Sequence, residues 1–130
     1  MTTKTYDNQV PSRESVMELV QYLDILYPKG KAINPVKSQD EWSCSVYKNE
    51  VDEFFRLVGK KWIARRGIMD KGNDLFSNKD KIRRATWDDL KSVLTYCIRM
   101  NRLSDSGFDD VISQGIVQLV LLRMKELSGM

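Results

Sequence analysis

The segment Gly59-Lys60-Lys61-Trp62-Ile63-Ala64-Arg65-Arg66-Gly67 sets a pair of cations on either side of a tryptophan. Cations neutralise phosphates or carboxylates, and an aromatic ring can stack on a base or anchor a protein contact. The alternative is a solvated cationic loop with Trp62 buried as its anchor. A second cluster, Lys79, Lys81, Arg83 and Arg84, follows shortly after. Between Arg56 and Arg84 ten cations face only Asp70, Asp74 and Asp80, a net +7, while the rest of the +3 chain carries −4. That asymmetry predicts an electropositive face. Arg99 and Arg102, three residues apart at a helix end, form a third candidate grip for a phosphate or a carboxylate. They suit equally the negative end of their helix, or pairing with Asp105 or Asp109.

The acidic pairs Asp52-Glu53, Asp88-Asp89 and Asp109-Asp110 invite a metal or acid–base reading. Adjacent helical residues diverge by about 100°, so each pair is a poor clamp. All three fall where helices are expected to begin, where acids are favoured electrostatically. The chain has no histidine, which removes the commonest general base and zinc ligand and every Ser-His or Cys-His nucleophile. Cys44 and Cys97 lack metal-ligand spacing. Cys97 continues an apolar stripe and reads as a buried thiol; Cys44 has the option of reacting. We therefore assign no catalytic residue, metal or cofactor. The candidate partner-contact or nucleic-acid-contact residues are Lys60, Lys61, Trp62, Arg65, Arg66, Lys81, Arg83, Arg84, Arg99 and Arg102.

The elements that must position these residues are helices. Ser12 can cap a first helix, with Val16, Leu19, Val20, Leu23, Leu26 and Tyr27 as its buried stripe and Pro28 and Gly30 as its stop. Asn34-Pro35 marks a turn, Trp42 and Val46 are expected to dock the following loop, and a short strand fits around Ser43 to Tyr47. Asn49 is the expected cap of a second helix with Val51, Phe54, Phe55 and Val58 inward, and Gly59 suits its left-handed end. From Lys60 to Ala85, Gly67, Gly72, Asn73 and Asn78 punctuate the chain, predicting an irregular basic region with at most a short helix or turn near Trp62.

Thr86 and Asp89 form a capping-box-like pair opening a third long helix with Leu90, Val93, Leu94, Cys97 and Ile98 on one stripe and Asn101 near its end. Asp105 or Ser106 can cap a short helix holding Phe108, Val111 and Ile112, and Gly115 breaks the chain. The last helix carries two apolar faces: Ile116, Leu119, Val120 and Leu127 on one, Val117, Leu121 and Met124 on the other. Such a helix is either central in the core or shared with a second subunit, through a homodimer seam on the C-terminal helix.

Residues 1–11 thus read as a flexible tail and 12–130 as one all-α domain of four to five helices with room for one short β element. No apolar run approaches the roughly 20 residues that span a bilayer, and the first residues lack the apolar stretch of a secretory signal. A cytoplasmic protein is expected.

Leu94, Thr95, Arg99, Arg102, Asp105, Gly115 and Ile116, the closing Leu122 to Leu127, and the Val51 to Phe55 helix resemble domain-of-unknown-function family 6508, a bacterial and phage family. The likeness lies mainly over residues 86–127. Leu103 stands where the family has an aromatic, and the turn glycine is displaced from Ser106 to Gly107. The resemblance implies a helical fold and no known activity; the family's presence in phage and mobile DNA suggests a regulator or an inhibitor of host defence. From the residues themselves we expect a non-enzymatic protein that binds an acidic macromolecule through its basic surface. Direct nucleic-acid binding is the alternative.

Overall fold

The computed structural model describes residues 11–39, 45–62, 68–103 and 107–129. The expected tail up to Val10, together with Trp42, Cys44, Ile63, Arg65, Arg66, Asp105 and Ser106, lies outside them, as do the side chains of Val46 and Arg102.

Helix α1 (Arg13–Val20) opens as its residues require: the Ser15 amide donates to the Ser12 hydroxyl at 3.2 Å. A turn at Gln21 passes into α2 (Tyr22–Leu26), and a short 3-10 turn at Pro28–Gly30 closes it. Strands β1 (Val36–Gln39) and β2 (Ser45–Tyr47) pair antiparallel, Val36 opposite Tyr47 and Gln39 opposite Ser45, with an irregularity between Val36 and Ser38. Helix α3 (Asn49–Lys61) buries Val51, Phe54, Phe55 and Val58, the stripe expected from their spacing. Its ends depart from expectation. Lys48, not Asn49, is the cap residue, and the helix runs through Gly59 to Lys61, because Gly59 keeps helical backbone geometry and has open space around it.

The larger correction concerns the stretch expected to be irregular. Its described part folds into α4 (Ile68–Ser77) and α5 (Lys79–Ile82). Gly72 is inside α4 for a packing reason: a Cβ there would sit 2.6 Å from the Tyr96 Cβ and 2.8 Å from the Ser92 carbonyl oxygen. The glycine lets α4 lie against α6 (Trp87–Leu103). Tyr96 then donates its hydroxyl to Asn73 at 3.0 Å and sets its ring 5.3 Å from Phe76.

Thr86 and Asp89 open α6 as a reciprocal box: the Asp89 amide donates to the Thr86 hydroxyl at 3.2 Å and the Thr86 amide to the Asp89 carboxylate at 3.1 Å. The helix passes Asn101 rather than ending there. Asn101 instead accepts from the Phe108 amide (3.1 Å) and the Tyr47 hydroxyl (3.2 Å), tying the β-ribbon to the start of α7 (Gly107–Ser113). Phe108 stacks on Phe55 at 3.8 Å, so one joint holds α3, α6, α7 and β2.

Gly115, at φ +80°, turns the chain into α8 (Ile116–Ser128). Helices α1, α2, α5, α6 and α7 all touch α8. Ile116, Val117, Val120, Leu121 and Met124 are fully buried by this one chain. The face bearing Val117, Leu121 and Met124 is therefore core, not an open seam. Leu119, expected in the core, is only half-buried at its edge. The all-α class stands, and among the described residues the Gln21 turn and the short α5 add segments to the longer helices.

Two stability outcomes follow. Leu94 is fully buried, so Leu94→Ala should cost about 2–5 kcal/mol, and Leu119→Ala visibly less, in denaturant melts. Gly72→Ala forces α4 off α6 and should cost about 1–3 kcal/mol as overpacking, despite alanine's better helix propensity; a variant as stable as the parent would contradict the tight crossing.

Candidate functional site: a cationic cleft between α5 and α8

The described candidate residues do not gather in one place. Lys60 lies on the outer face of α3, in a shallow cleft of about 250 Å³ with Glu18, Gln21, Tyr22, Glu53, Arg56 and Leu57. Charges of both signs line it. Burial raises the Tyr22 pKa there, with the nearby Glu53 charge adding to the effect. Lys61 pairs with Glu18 at 2.7 Å. Trp62 is about 1% exposed and faces Trp87 with ring centroids 6.2 Å apart. It anchors the end of α3 and offers no platform to a base; its indole N–H is buried without an acceptor among the described residues. Arg99 is exposed on α6.

The second cluster makes a surface. Lys79, Lys81, Arg83 and Arg84 are all exposed on α5 and the turn that follows it. Lys81 pairs with Asp74 (2.7 Å) and Arg83 with Asp80 (2.6 Å). Lys79 donates to the Gln114 carbonyl at 2.6 Å, linking α5 to the turn before α8. On one side of α5 is a polar cleft of about 610 Å³ lined by Phe76, Ser77, Asn78, Lys79, Asp80 and Gln114. Just past its end, Arg83 closes a cleft of about 470 Å³ against Leu119, Leu122, Arg123, Lys125 and Glu126 of α8. Three cations and one carboxylate thus surround two leucines, and Leu122 is 44% exposed.

Helix periodicity builds this cleft. With one face of α8 in the core, Leu119, Leu122, Arg123 and Glu126 follow three- and four-residue steps along the opposite face. The Arg123 guanidinium donates through Nε to the Ala85 carbonyl at 2.9 Å and reaches Glu126 at 3.5 Å. Arg123 thereby fixes the α5–α6 turn against α8. Reading the sequence selected Arg83 but passed over Leu122, Arg123 and Lys125. The available signal was a polar stripe on the last helix interrupted by leucines.

The acidic pairs lie where helix-start electrostatics put them. Asp52 is in the first turn of α3, Asp88 and Asp89 in that of α6, and Asp109 and Asp110 in that of α7. No group of three or more histidine, cysteine or acidic residues that could hold a metal occurs among the described residues. Cys97 is a buried thiol, as its stripe predicts, and burial pushes its pKa up to about 12. Burial likewise raises the Tyr27 phenol, whose hydroxyl donates to the Ile112 carbonyl at 2.8 Å.

Fold and cleft together describe a small all-α domain with a cleft lined by two leucines, three cations and one carboxylate. No described helix is long and apolar enough to cross a membrane. The chain belongs to a family of unknown function, DUF6508, which matches residues 11–129 and so extends well beyond the C-terminal likeness. No curated protein and no solved structure matches it.

Cys97 gives a pH test. Its thiol ionises near 9.0 when freed and near 12 when folded. The unfolded chain releases that proton first as pH rises, so this contribution to stability is complete below pH 9 and falls between 9 and 12. Stability measured over that window should fall more steeply for the parent than for Cys97→Ala; parallel profiles would show the thiol is not buried.

Proposed function

We propose that this protein acts by binding rather than catalysis, docking an acidic surface of a partner protein in the cleft between α5 and α8. One observation carries the reading: Arg83, Arg123 and Lys125 surround Leu119 and the exposed Leu122. Exposed leucine beside cations fits a partner that offers carboxylates around an apolar side chain. A phosphate backbone would use the cations and leave the leucines without favourable partners. The burial of Trp62 also removes the aromatic expected to favour single strands.

Occupying a partner's surface is how such a domain would serve as the phage or mobile-element regulator, or the inhibitor of host defence, that the family likeness suggests. The setting we infer is the cytoplasm, where a free thiol such as Cys97 persists.

Fluorescence anisotropy separates the two partner classes. An acidic amphipathic leucine-containing peptide should bind, and Leu122→Glu and Lys125→Glu should each weaken it. Duplex or single-stranded DNA bound instead, with affinity falling steeply with salt as several phosphate contacts require, would hand the surface to nucleic acid. Binding of neither at low salt would overturn the reading.

A further inference from the structure

Three large apolar side chains stand exposed among the described residues: Met17 (53%), Ile25 (40%) and Leu122 (44%). They occupy only two surfaces. Leu122 floors the cationic cleft. Met17 and Ile25 lie on the outer side of α1 and α2. There Glu14, Met17, Glu18, Gln21, Asp24 and Ile25 recur at helical spacing, and the Gln21 backbone stays helical across the junction, so the six share one face. Glu18 is engaged by Lys61, whereas Glu14 and Asp24 are exposed with no ion pair among the described residues. This stripe is apolar with acids beside it at Glu14 and Asp24, while Arg56, Lys60 and Lys61 of α3 border it around Glu18 and Gln21. The cleft is apolar with cations beside it.

We infer that the acidic stripe of α1–α2 is the occupant of the α5–α8 cleft in a second copy of this chain. The inference rests on the reading of that cleft as a receptor for an acidic, apolar protein surface, and it names the partner. Helices α1 and α8 pack side by side, and Gln118 of α8 reaches the Gly30 carbonyl just after α2 at 3.4 Å. Stripe and cleft therefore sit on neighbouring elements. A two-fold axis between them sets each copy's stripe on the other's cleft, a closed isologous pair rather than an open filament. Met17 and Ile25 then cover Leu122 and Leu119. Glu14 and Asp24 approach Arg83, Arg123 and Lys125. This contact uses the outer face of α8, opposite the Val117, Leu121 and Met124 face that the single chain buries.

Charge reversal tests the pairing directly. One chain carries Glu14→Lys with Asp24→Lys; another carries Arg83→Glu with Lys125→Glu. Glu14, Asp24 and Arg83 are exposed and Lys125 is half-buried, and circular dichroism checks that each variant stays helical. Light scattering at micromolar concentration should find the parent dimeric and each variant alone monomeric. An equimolar mixture of the two should recover the dimer, because only the mixed pair opposes unlike charges at both contacts. Leu122→Glu should be a folded monomer. A monomeric parent that still binds the acidic peptide in a Leu122-dependent way would overturn self-pairing and leave the cleft reading standing. A monomeric parent that binds no such peptide would defeat both. Variants that dimerise alone as well as the parent does would show that any dimer uses another face.

Discussion

The burial of α8 is the constraint on which the rest depends. Its apolar residues cover more of the helix than one neighbour can shield, so helices must surround it. Helices α1, α2, α5, α6 and α7 do so, and Ile116, Val117, Val120, Leu121 and Met124 lose contact with water. Each such side chain contributes about 1.5–3 kcal/mol on the transfer scale, far more than an exposed ion pair at about 0–1 kcal/mol. Packing on α8 therefore outweighs the surface charges in setting where the other helices lie. The cleft is a by-product of that arrangement: the side of α8 that the described helices leave uncovered is bordered by α5.

The parts of this fold legible in the sequence are those decided by local chemistry. Ser12 and the Thr86–Asp89 pair cap helices because their side chains meet amides within one turn. The stripes of α3 and α6 follow from period alone, and Phe54, Val58, Leu94 and Cys97 are buried as that period requires. The misread positions are those decided by a distant neighbour. Gly72 has the look of a helix breaker, yet it is a helical residue whose missing Cβ admits Tyr96. Asn101 has the look of a stop, yet its side chain serves Phe108 and Tyr47 from inside the helix. A glycine or asparagine states what the backbone can tolerate; only the packed partner determines which use is made of it.

The candidate site divides along the same line. Cationic character between Lys79 and Arg84 is plain from composition. That Lys60 and Lys61 belong to another surface, and that Trp62 belongs to the core, depends on α3 turning its apolar face inward. Leu122, Arg123 and Lys125 carry no charge-run signature in the sequence, being one leucine and two cations spread along a helix. The face becomes a site only when Arg83 is brought across from α5.

Much of the charge excess is also quenched locally, by Asp74 on Lys81, Asp80 on Arg83 and Glu126 on Arg123. Such exposed pairs hold little free energy, so an incoming carboxylate can replace an internal one at small cost. The walls themselves are held by different means. Lys79 on the Gln114 carbonyl and Arg123 on the Ala85 carbonyl brace α5 at both ends against the α8 segment. Those bonds go to backbone oxygens and persist whichever acid the guanidinium and ammonium groups meet outside. A cleft braced through the main chain and neutralised through exchangeable side chains can accept a partner without rebuilding itself, and the ordering cost that commonly weakens binding is correspondingly small.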